Sequence, residues 1–260
     1  MDFAFVFSGF AVGLIIGLTG VGGGSLMTPL LVLGFGIAPA IAVGTDLLYA
    51  AITKAGGIWV HQRRGNIDWS IVGLLAIGSL PSSLLMIRVL DYLNSRGVDY
   101  EPLITSTLGV ALILTSLVLL LKARLLAVSE HENFAAVRAA HRRLQKPMTI
   151  AAGAIIGALV TLSSVGAGAL GAASLFFLYP RLRTIAIVGT DLAHAVPLTA
   201  IAGLGHVHLG TVDFVLLGSL LIGSLPGIYL GGYLGTHLPD RIMRSALASL
   251  LLLIGLRFAL

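Results

Sequence analysis

The stretch Val43-Gly44-Thr45-Asp46-Leu47 occurs twice in this chain, returning 145 positions later as Val188-Gly189-Thr190-Asp191-Leu192. Further identities keep the same offset on the carboxyl-terminal side of each copy. They are His61, Gly65, Asp68 and Gly78-Ser79-Leu80-Pro81, matched by His206, Gly210, Asp213 and Gly223-Ser224-Leu225-Pro226. A shared apolar composition would not keep aspartate, histidine, threonine and proline in register. The chain therefore contains an internal duplication.

The composition indicates that both copies lie in a membrane. The chain has 260 residues, of which 57% are hydrophobic and 10% are charged, and its mean hydropathy is +1.01. A water-soluble domain of this length needs more charged residues to cover its outside. The 33 glycines agree, because glycine is more frequent in membrane helices than in soluble ones. The first apolar run lacks a basic flank and a cleavage site, so we expect a membrane segment rather than a signal peptide.

The apolar runs give the predicted helical segments, since about 20 apolar residues are needed to cross a bilayer. They cover residues 3–18, 25–36, 38–60, 69–88, 102–121, 148–163, 169–179, 184–205, 212–235 and 241–258. The runs 25–36 and 169–179 are short and follow glycine-rich breaks. We predict an all-α polytopic membrane protein with two repeats of about five helical segments each, residues 1–121 and 148–260, joined by a linker at 122–147.

Positive charge is concentrated in this linker, which contains Lys122, Arg124, Arg138, Arg142, Arg143 and Lys146. Under the positive-inside rule the linker is cytoplasmic, and this explains the net charge of +5 without nucleic-acid binding. Five segments per repeat is an odd number, so the second repeat is predicted to have inverted topology, with both chain ends outside. We expect a linker helix capped by Ser129 and Glu132 and ended by Pro147. A helix on the inner leaflet and a solvated connector are both left open.

Each repeat contains a small-residue break that is predicted to bind substrate. The first comprises Gly20, Val21, Gly22, Gly23, Gly24 and Ser25, and the second comprises Val165, Gly166, Ala167 and Gly168. Glycine costs about 1 kcal/mol relative to alanine inside a helix, so these runs should break it. Broken backbone inside a membrane lines a polar cavity or is buried in protein, and the short helix after it offers free N–H groups to an anion. The alternative is close helix packing through small residues.

Asp46 and Asp191 lie about eight residues into their spans, roughly 12 Å deep at helical rise. A carboxylate at that depth is a functional candidate, because burying its charge is costly. Each is predicted to carry a coupling proton or to bind a cation, or alternatively to cap the neighbouring broken segment. Thr45 and Thr190 are predicted to donate their hydroxyls to the substrate, or to bond their own helix.

Other polar residues of the spans are expected to be less informative. Lys54 should extend its ammonium towards the cytoplasmic end of its span. His194 is one turn from Asp191 and could pair with it. His206 and His208 resemble a metal-binding pair in an external loop, but no second cluster accompanies them, so no metal site is expected. The chain has no cysteine and no Gly-Lys-Ser/Thr phosphate loop, and no cofactor is expected.

Taken together, these residues resemble the TauE/SafE family of sulfite exporter-like membrane permeases. The resemblance covers nearly the whole chain. It rests on the run Gly20–Ser25 followed by Pro29, the two Val-Gly-Thr-Asp-Leu strings, Gly-Asn-Ile-Asp at 65–68, Gly-Thr-Val-Asp at 210–213, and the two Gly-Ser-Leu-Pro strings. It implies export of small anions, sulfite or organosulfonates, across the bacterial inner membrane with proton coupling.

The function predicted from these features is secondary transport of a small anion by alternating access, without enzymatic activity. Its partners are then the anion, a coupling proton and the lipid bilayer, with no nucleic acid. Homo-oligomerisation is left open. A passive anion channel of the same fold is the alternative, followed by an intramembrane hydrolase that uses Ser25 as nucleophile. The sequence does not determine which anion is moved, in which direction or with what stoichiometry.

Overall fold

A computed structural model describes residues 3–19, 24–128, 135–235 and 240–259, which form α-helices and short loops without a strand. The helices are α1 (Phe3–Thr19), α2 (Gly24–Pro29, continued by a π-helical turn at Leu30–Gly34), α3 (Pro39–Arg63), α4 (Trp69–Ser95), α5 (Glu101–Val128), α6 (Ala135–Ser163), α7 (Ala169–Leu178), α8 (Thr184–His208), α9 (Phe214–Gly235) and α10 (Asp240–Ala259). The predicted all-α architecture is confirmed.

The helices have the length and apolarity of membrane spans. Within the described parts of the chain, α4, α5, α6, α8 and α9 each contain a stretch long and apolar enough to cross a bilayer. Their outer faces carry exposed large apolar side chains, including Ile77, Leu85, Ile155, Phe214 and Ile222. Apolar side chains on the outside are stable only when lipid replaces water around them. The chain is therefore a multi-pass membrane protein.

Glycine seams hold the outer helices together in parallel pairs. Helix α1 packs on α9, where Gly9 and Gly13 lie directly against the backbone of Leu220 and Ser224. A Cβ atom at either glycine would overlap that backbone, so only glycine permits the close approach. Helix α6 packs on α4 in the same way, through Gly153 and Gly157. Small residues at such seams bring membrane helices close enough for extensive van der Waals contact.

The central pair, α3 and α8, is antiparallel. Gly44 near the start of α3 lies beside His206 at the end of α8, and Gly189 near the start of α8 lies beside His61 at the end of α3. Helices α5 and α10 are antiparallel as well, with the Ser116 hydroxyl donating to the Ala248 carbonyl at 2.8 Å. At the offset of 145, the contact of Gly44 with His206 corresponds to the contact of Gly189 with His61.

Two aspartates start the helices that follow the central pair. Asp68 Oδ1 accepts hydrogen bonds from Ser70 N at 3.0 Å and Ile71 N at 3.2 Å, and so caps α4. Asp213 Oδ1 accepts from the amides of Val215 and Leu216, both at 2.9 Å, and caps α9. These bonds satisfy amide groups that have no partner within the first helical turn.

The prediction that Pro147 ends a linker helix was wrong. Helix α6 begins at Ala135 and continues through Pro147 to Ser163, so the linker bounds 122 and 147 both fall inside helices. A proline removes only its own amide hydrogen bond, and the apolar sequence that follows must keep its backbone hydrogen bonds internal in lipid. The proposed capping residues Ser129 and Glu132 lie outside the described residues.

Candidate functional site

The second break is a tight, buried loop between α6 and α7. It contains three residues with positive φ, namely Ser164 at 58°, Gly166 at 109° and Gly168 at 139°. Only glycine adopts the last two conformations without strain, which explains the two glycines of this break. Val165 and Ala167 between them are buried. The loop is therefore a fixed feature of the protein interior.

Hydrogen bonds on both sides hold this loop in place. The Ser163 hydroxyl donates to the Leu159 carbonyl at 2.6 Å and accepts from Val165 N at 3.2 Å. On the other side, the Gly168 carbonyl accepts from Ala172 N at 3.1 Å and so begins α7. The predicted break in the helix is present, with Val165, Gly166, Ala167 and Gly168 together in one loop.

Most of the first break lies outside the described residues, namely Gly20, Val21, Gly22 and Gly23. Gly24 begins α2, and the next residue, Ser25, is buried in its first turn. Helix α2 and its π-helical turn pack against α3. This places the residues after the first break beside the helix that carries Asp46.

Asp46 is fully buried on α3 and faces α2. Its Oδ2 accepts a hydrogen bond from the Thr28 hydroxyl at 2.5 Å. The Ser164 hydroxyl of the second break also lies beside this carboxyl group. Among the described residues, Asp46 Oδ1 and Ser164 Oγ are both buried, and neither makes a hydrogen bond of standard geometry. The Asp46 carboxyl group therefore lies between the Thr28 hydroxyl of α2 and the Ser164 hydroxyl of the second break.

Asp191 occupies the equivalent position on α8 and faces α7. Its Oδ1 fills the space above Gly171, where a Cβ atom would overlap it. This oxygen is also buried, and it has no hydrogen-bond partner among the described residues. The two aspartates therefore each lie against the short helix of their own half. Their surroundings differ, because the Thr28 hydroxyl donates a hydrogen bond to Asp46, whereas the backbone of Gly171 lies against Asp191.

Lys54 does not extend towards the end of its span, and that prediction was wrong. Its side chain is only 9% exposed, and Nζ donates to the Ala167 carbonyl of the second break at 2.6 Å. The carboxyl groups of Asp191 and Asp46 both act electrostatically on it. Lys54 lies nine residues before the end of α3, roughly 14 Å at helical rise, which exceeds the reach of a lysine side chain. That depth was the sequence signal that could have identified it.

Thr45 and Thr190 bond neither their own helix nor each other. Thr45 Oγ1 accepts from the backbone amide of Asp213 at 3.0 Å, and Thr190 Oγ1 accepts from that of Asp68 at 2.9 Å. Each threonine thus contacts the loop that caps a helix of the other half. The structure places both hydroxyls at contacts between the two halves.

The side chains of His194 and His206 form hydrogen bonds with other residues of the protein interior. His194 Nε2 bonds the Ser79 hydroxyl at 2.8 Å rather than Asp191. His206 lies in the last turn of α8, not in a loop, and bonds the Thr211 hydroxyl at 2.8 Å and the Thr161 carbonyl at 3.0 Å. Within the described parts of the chain, no group of three or more metal-ligating residues is present.

A cavity of about 470 Å³ lies where the α3–α4 loop meets the α7–α8 loop. Its lining includes Asn66, Asp68 and Trp69 from the first loop and Arg181 and Arg183 from the second. Arginines lie at both loops, so the positive-inside rule predicts that both are cytoplasmic, and the structure brings them together at one end of the protein. Two exposed guanidinium groups at this mouth favour the approach of anions.

Comparison with known proteins gives matches over the full length of the chain. A family model described as sulfite exporter TauE/SafE matches residues 5–258. The probable membrane transporter protein YjnA of Bacillus subtilis (strain 168) is 37% identical over 257 residues, which cover 99% of both chains. The probable membrane transporter protein YdhB of the same organism is 29% identical over 92% of both chains, and a probable membrane transporter protein of Methanocaldococcus jannaschii is 28% identical over 95% of this chain and 91% of that protein. No solved structure matches the chain.

Proposed function

Because the chain belongs to the TauE/SafE family of membrane transporters, we propose that it is a secondary transporter that exports small anions of the sulfite or organosulfonate class. Transport crosses the inner membrane, is coupled to protons and proceeds by alternating access. The protein releases its solute chemically unchanged and is not an enzyme.

The observation that carries this proposal is the pair of buried aspartates with a free oxygen each. Asp46 and Asp191 lie at equivalent positions, each beside the short helix after a break, and each has one buried oxygen without a partner. An unsatisfied buried polar group costs about 1–3 kcal/mol. Two such groups at equivalent positions in a membrane protein support a role in binding a solute or a proton.

The contacts between the halves support an inverted repeat and alternating access. Helices α3 and α8 are antiparallel, and Thr45 and Thr190 make the same contact in opposite directions. Transporters with inverted repeats bind substrate between the halves and expose it to each side in turn, as one half moves against the other. We propose that residues Gly20–Ser25 and Val165–Gly168 contact the substrate at this interface.

The charges at the centre give a reason for proton coupling. With both aspartates ionised, one lysine faces two negative charges, and an entering anion is repelled. A proton on either carboxyl group removes that repulsion, so proton binding and anion binding favour each other. Anion and proton then move together, and net export follows when the anion accumulates inside.

Flux through purified protein in liposomes tests the proposal. Liposomes loaded with sulfite or with an alkanesulfonate receive a pH gradient of either sign, and anion release is followed. We expect saturable release that increases when the interior is the more acidic side, with recovered anion of unchanged mass. Protein-free liposomes provide the control. Release that does not saturate and ignores the pH gradient would instead identify a passive channel. The proposal fails if no sulfur oxyanion or sulfonate is released.

A further inference from the structure

Lys54 is a buried cation with unused hydrogen-bonding capacity. Its side chain is 9% exposed, and within the described parts of the chain Nζ makes one hydrogen bond, to the Ala167 carbonyl at 2.6 Å. An ammonium group has three N–H donors, so two remain for another acceptor. A neutral donor would serve to hold a loop carbonyl, and burying a charge only for that purpose is costly. The hydrogen bond to the loop carbonyl therefore does not by itself explain why this buried residue carries a charge.

Other unsatisfied polar atoms surround this ammonium group. Asp191 and Asp46 act on Lys54 electrostatically from two different helices. The Ser164 hydroxyl, on the same loop as Ala167, is 2% exposed and makes no hydrogen bond of standard geometry to another described residue. It lies beside Asp46 and can donate a hydrogen bond. The Lys54 ammonium group of α3 and the Ser164 hydroxyl of the α6–α7 loop thus lie in one region buried from solvent.

The cation has no counterpart in the second half. The residue equivalent to Lys54 is Thr199, whose hydroxyl donates to the Ala195 carbonyl of its own helix at 2.9 Å. A single positive charge therefore serves both carboxyl groups. If these are neutralised by protons, one unit of positive charge is left, which matches a monovalent anion and leaves a divalent anion unbalanced.

From this arrangement we propose that Lys54 is the counter-ion of the transported solute, binding a monovalent oxyanion together with the Ser164 hydroxyl. The inference rests on the proposed transport of small anions and names the charge and the contact residues of the substrate. Bisulfite and alkanesulfonates have the required single charge and several acceptor oxygens. On binding, the anion competes with the Ala167 carbonyl for the ammonium protons.

Ligand binding to detergent-purified variants tests the role of Lys54. Sulfite and methanesulfonate are titrated into the parent and into Lys54→Gln, and the rise in melting temperature reports binding. We expect the Lys54→Gln variant to lose at least about thirtyfold in affinity, as follows when one partner of a buried charge pair is removed. Lys146→Gln, which removes the same charge at an exposed position, is the matched control and should bind like the parent.

Two outcomes separate this inference from the proposed function. If the parent transports and binds the anion, and folded Lys54→Gln binds it equally well, Lys54 only braces the loop and the inference is wrong. If the parent neither binds nor transports any of these anions, the proposed function itself fails. If Lys54→Gln does not fold, Lys54→Arg decides. If Lys54 is the counter-ion, Lys54→Arg should change the KM for the anion while the protein keeps the parent's stability. If Lys54 only braces the loop, Lys54→Arg should keep the parent's KM.

Discussion

At the scale of single residues, the two aspartates are identical in sequence context but not in surroundings. The Asp46 carboxyl group accepts a hydrogen bond from the Thr28 hydroxyl, whereas the Asp191 carboxyl group lies against the backbone at Gly171. The repeat places the two aspartates at equivalent positions, and the short helices that they face give them different surroundings. This inequality suits a transporter in which the two carboxyl groups exchange protons with different sides of the membrane.

Replacing either aspartate with asparagine should abolish coupling without unfolding the protein. Asparagine has nearly the same volume and keeps the hydrogen bond to Thr28, but it cannot bind or release a proton. We expect Asp46→Asn and Asp191→Asn to lower gradient-driven flux at least about tenfold, a loss of about 1.4 kcal/mol of transition-state stabilisation. Between about pH 5 and pH 8 the parent's flux should rise as pH falls, and the remaining flux of each variant should depend less on pH, because only one of the two carboxyl groups can still bind a proton.

Asp99→Asn is the control for this pair, because Asp99 is exposed in the α4–α5 loop. Its flux and pH dependence should match those of the parent. Parental pH profiles in both Asp46→Asn and Asp191→Asn, measured in the same liposomes, would show that these carboxyl groups only brace the short helices.

The aspartates could be predicted from the sequence, but the partners of the site residues could not. Duplication and depth were enough to identify Asp46 and Asp191. The acceptor of Lys54 lies 113 residues away, and the donors to Thr45 and Thr190 lie 168 and 122 residues away. Such contacts depend on how the halves pack against each other, which no local pattern contains.

At the scale of helices, the segments were predictable wherever glycine, proline and charge interrupt the apolar runs. Helix α3 follows the π-helical turn and Gly36, and α4 starts at its Asp68 cap, close to the predicted bounds. Pro147 suggested a helix end that is not there. The apolar sequence after it favours a continuous helix in lipid by more than the proline disfavours one. The glycine seams between α1 and α9 and between α4 and α6 were not predicted, since a glycine facing another helix looks the same in sequence as one facing lipid.

The two threonine contacts lie at opposite ends of the α3–α8 pair and should act as latches between the halves. Each hydroxyl satisfies a backbone amide at the start of a helix. In Thr45→Val and Thr190→Val that amide loses its partner, which costs about 1–3 kcal/mol when it stays buried. We expect a lower melting temperature in both variants, and a shift in access towards opposite sides of the membrane, as measured by reagent accessibility of the binding region.

Thr199→Val is the matched control, because Thr199 is buried on α8 and bonds only its own helix. It should leave sidedness unchanged whatever its effect on stability. A shift towards the same side in Thr45→Val and Thr190→Val would contradict the idea of two opposed latches.

At the scale of the whole molecule, the proposed inversion determines how the two halves would meet at one site. Five segments per half reverse the direction of the chain, so the loops at 61–68 and 181–184 belong on one side and the loops at 95–100 and 208–213 on the other. The cavity lined by Asn66, Asp68, Arg181 and Arg183 agrees with the first pairing. The antiparallel contacts of α3 with α8 then place Asp46 and Asp191 on two helices that run in opposite directions past the same centre.

The natural absence of cysteine makes this topology directly testable by single-cysteine labelling. Gln62→Cys and Thr184→Cys, both at exposed positions near the basic loops, should react with a membrane-impermeant thiol reagent only after the cells are permeabilised. Ser95→Cys and His208→Cys, exposed at the other ends of their helices, should react in intact cells. The cysteine-free parent measures the background. Reaction of Gln62→Cys and Thr184→Cys from different sides would mean that the halves are not inverted. The hydrogen bond from Lys54 on α3 to Ala167 in the α6–α7 loop could not then form.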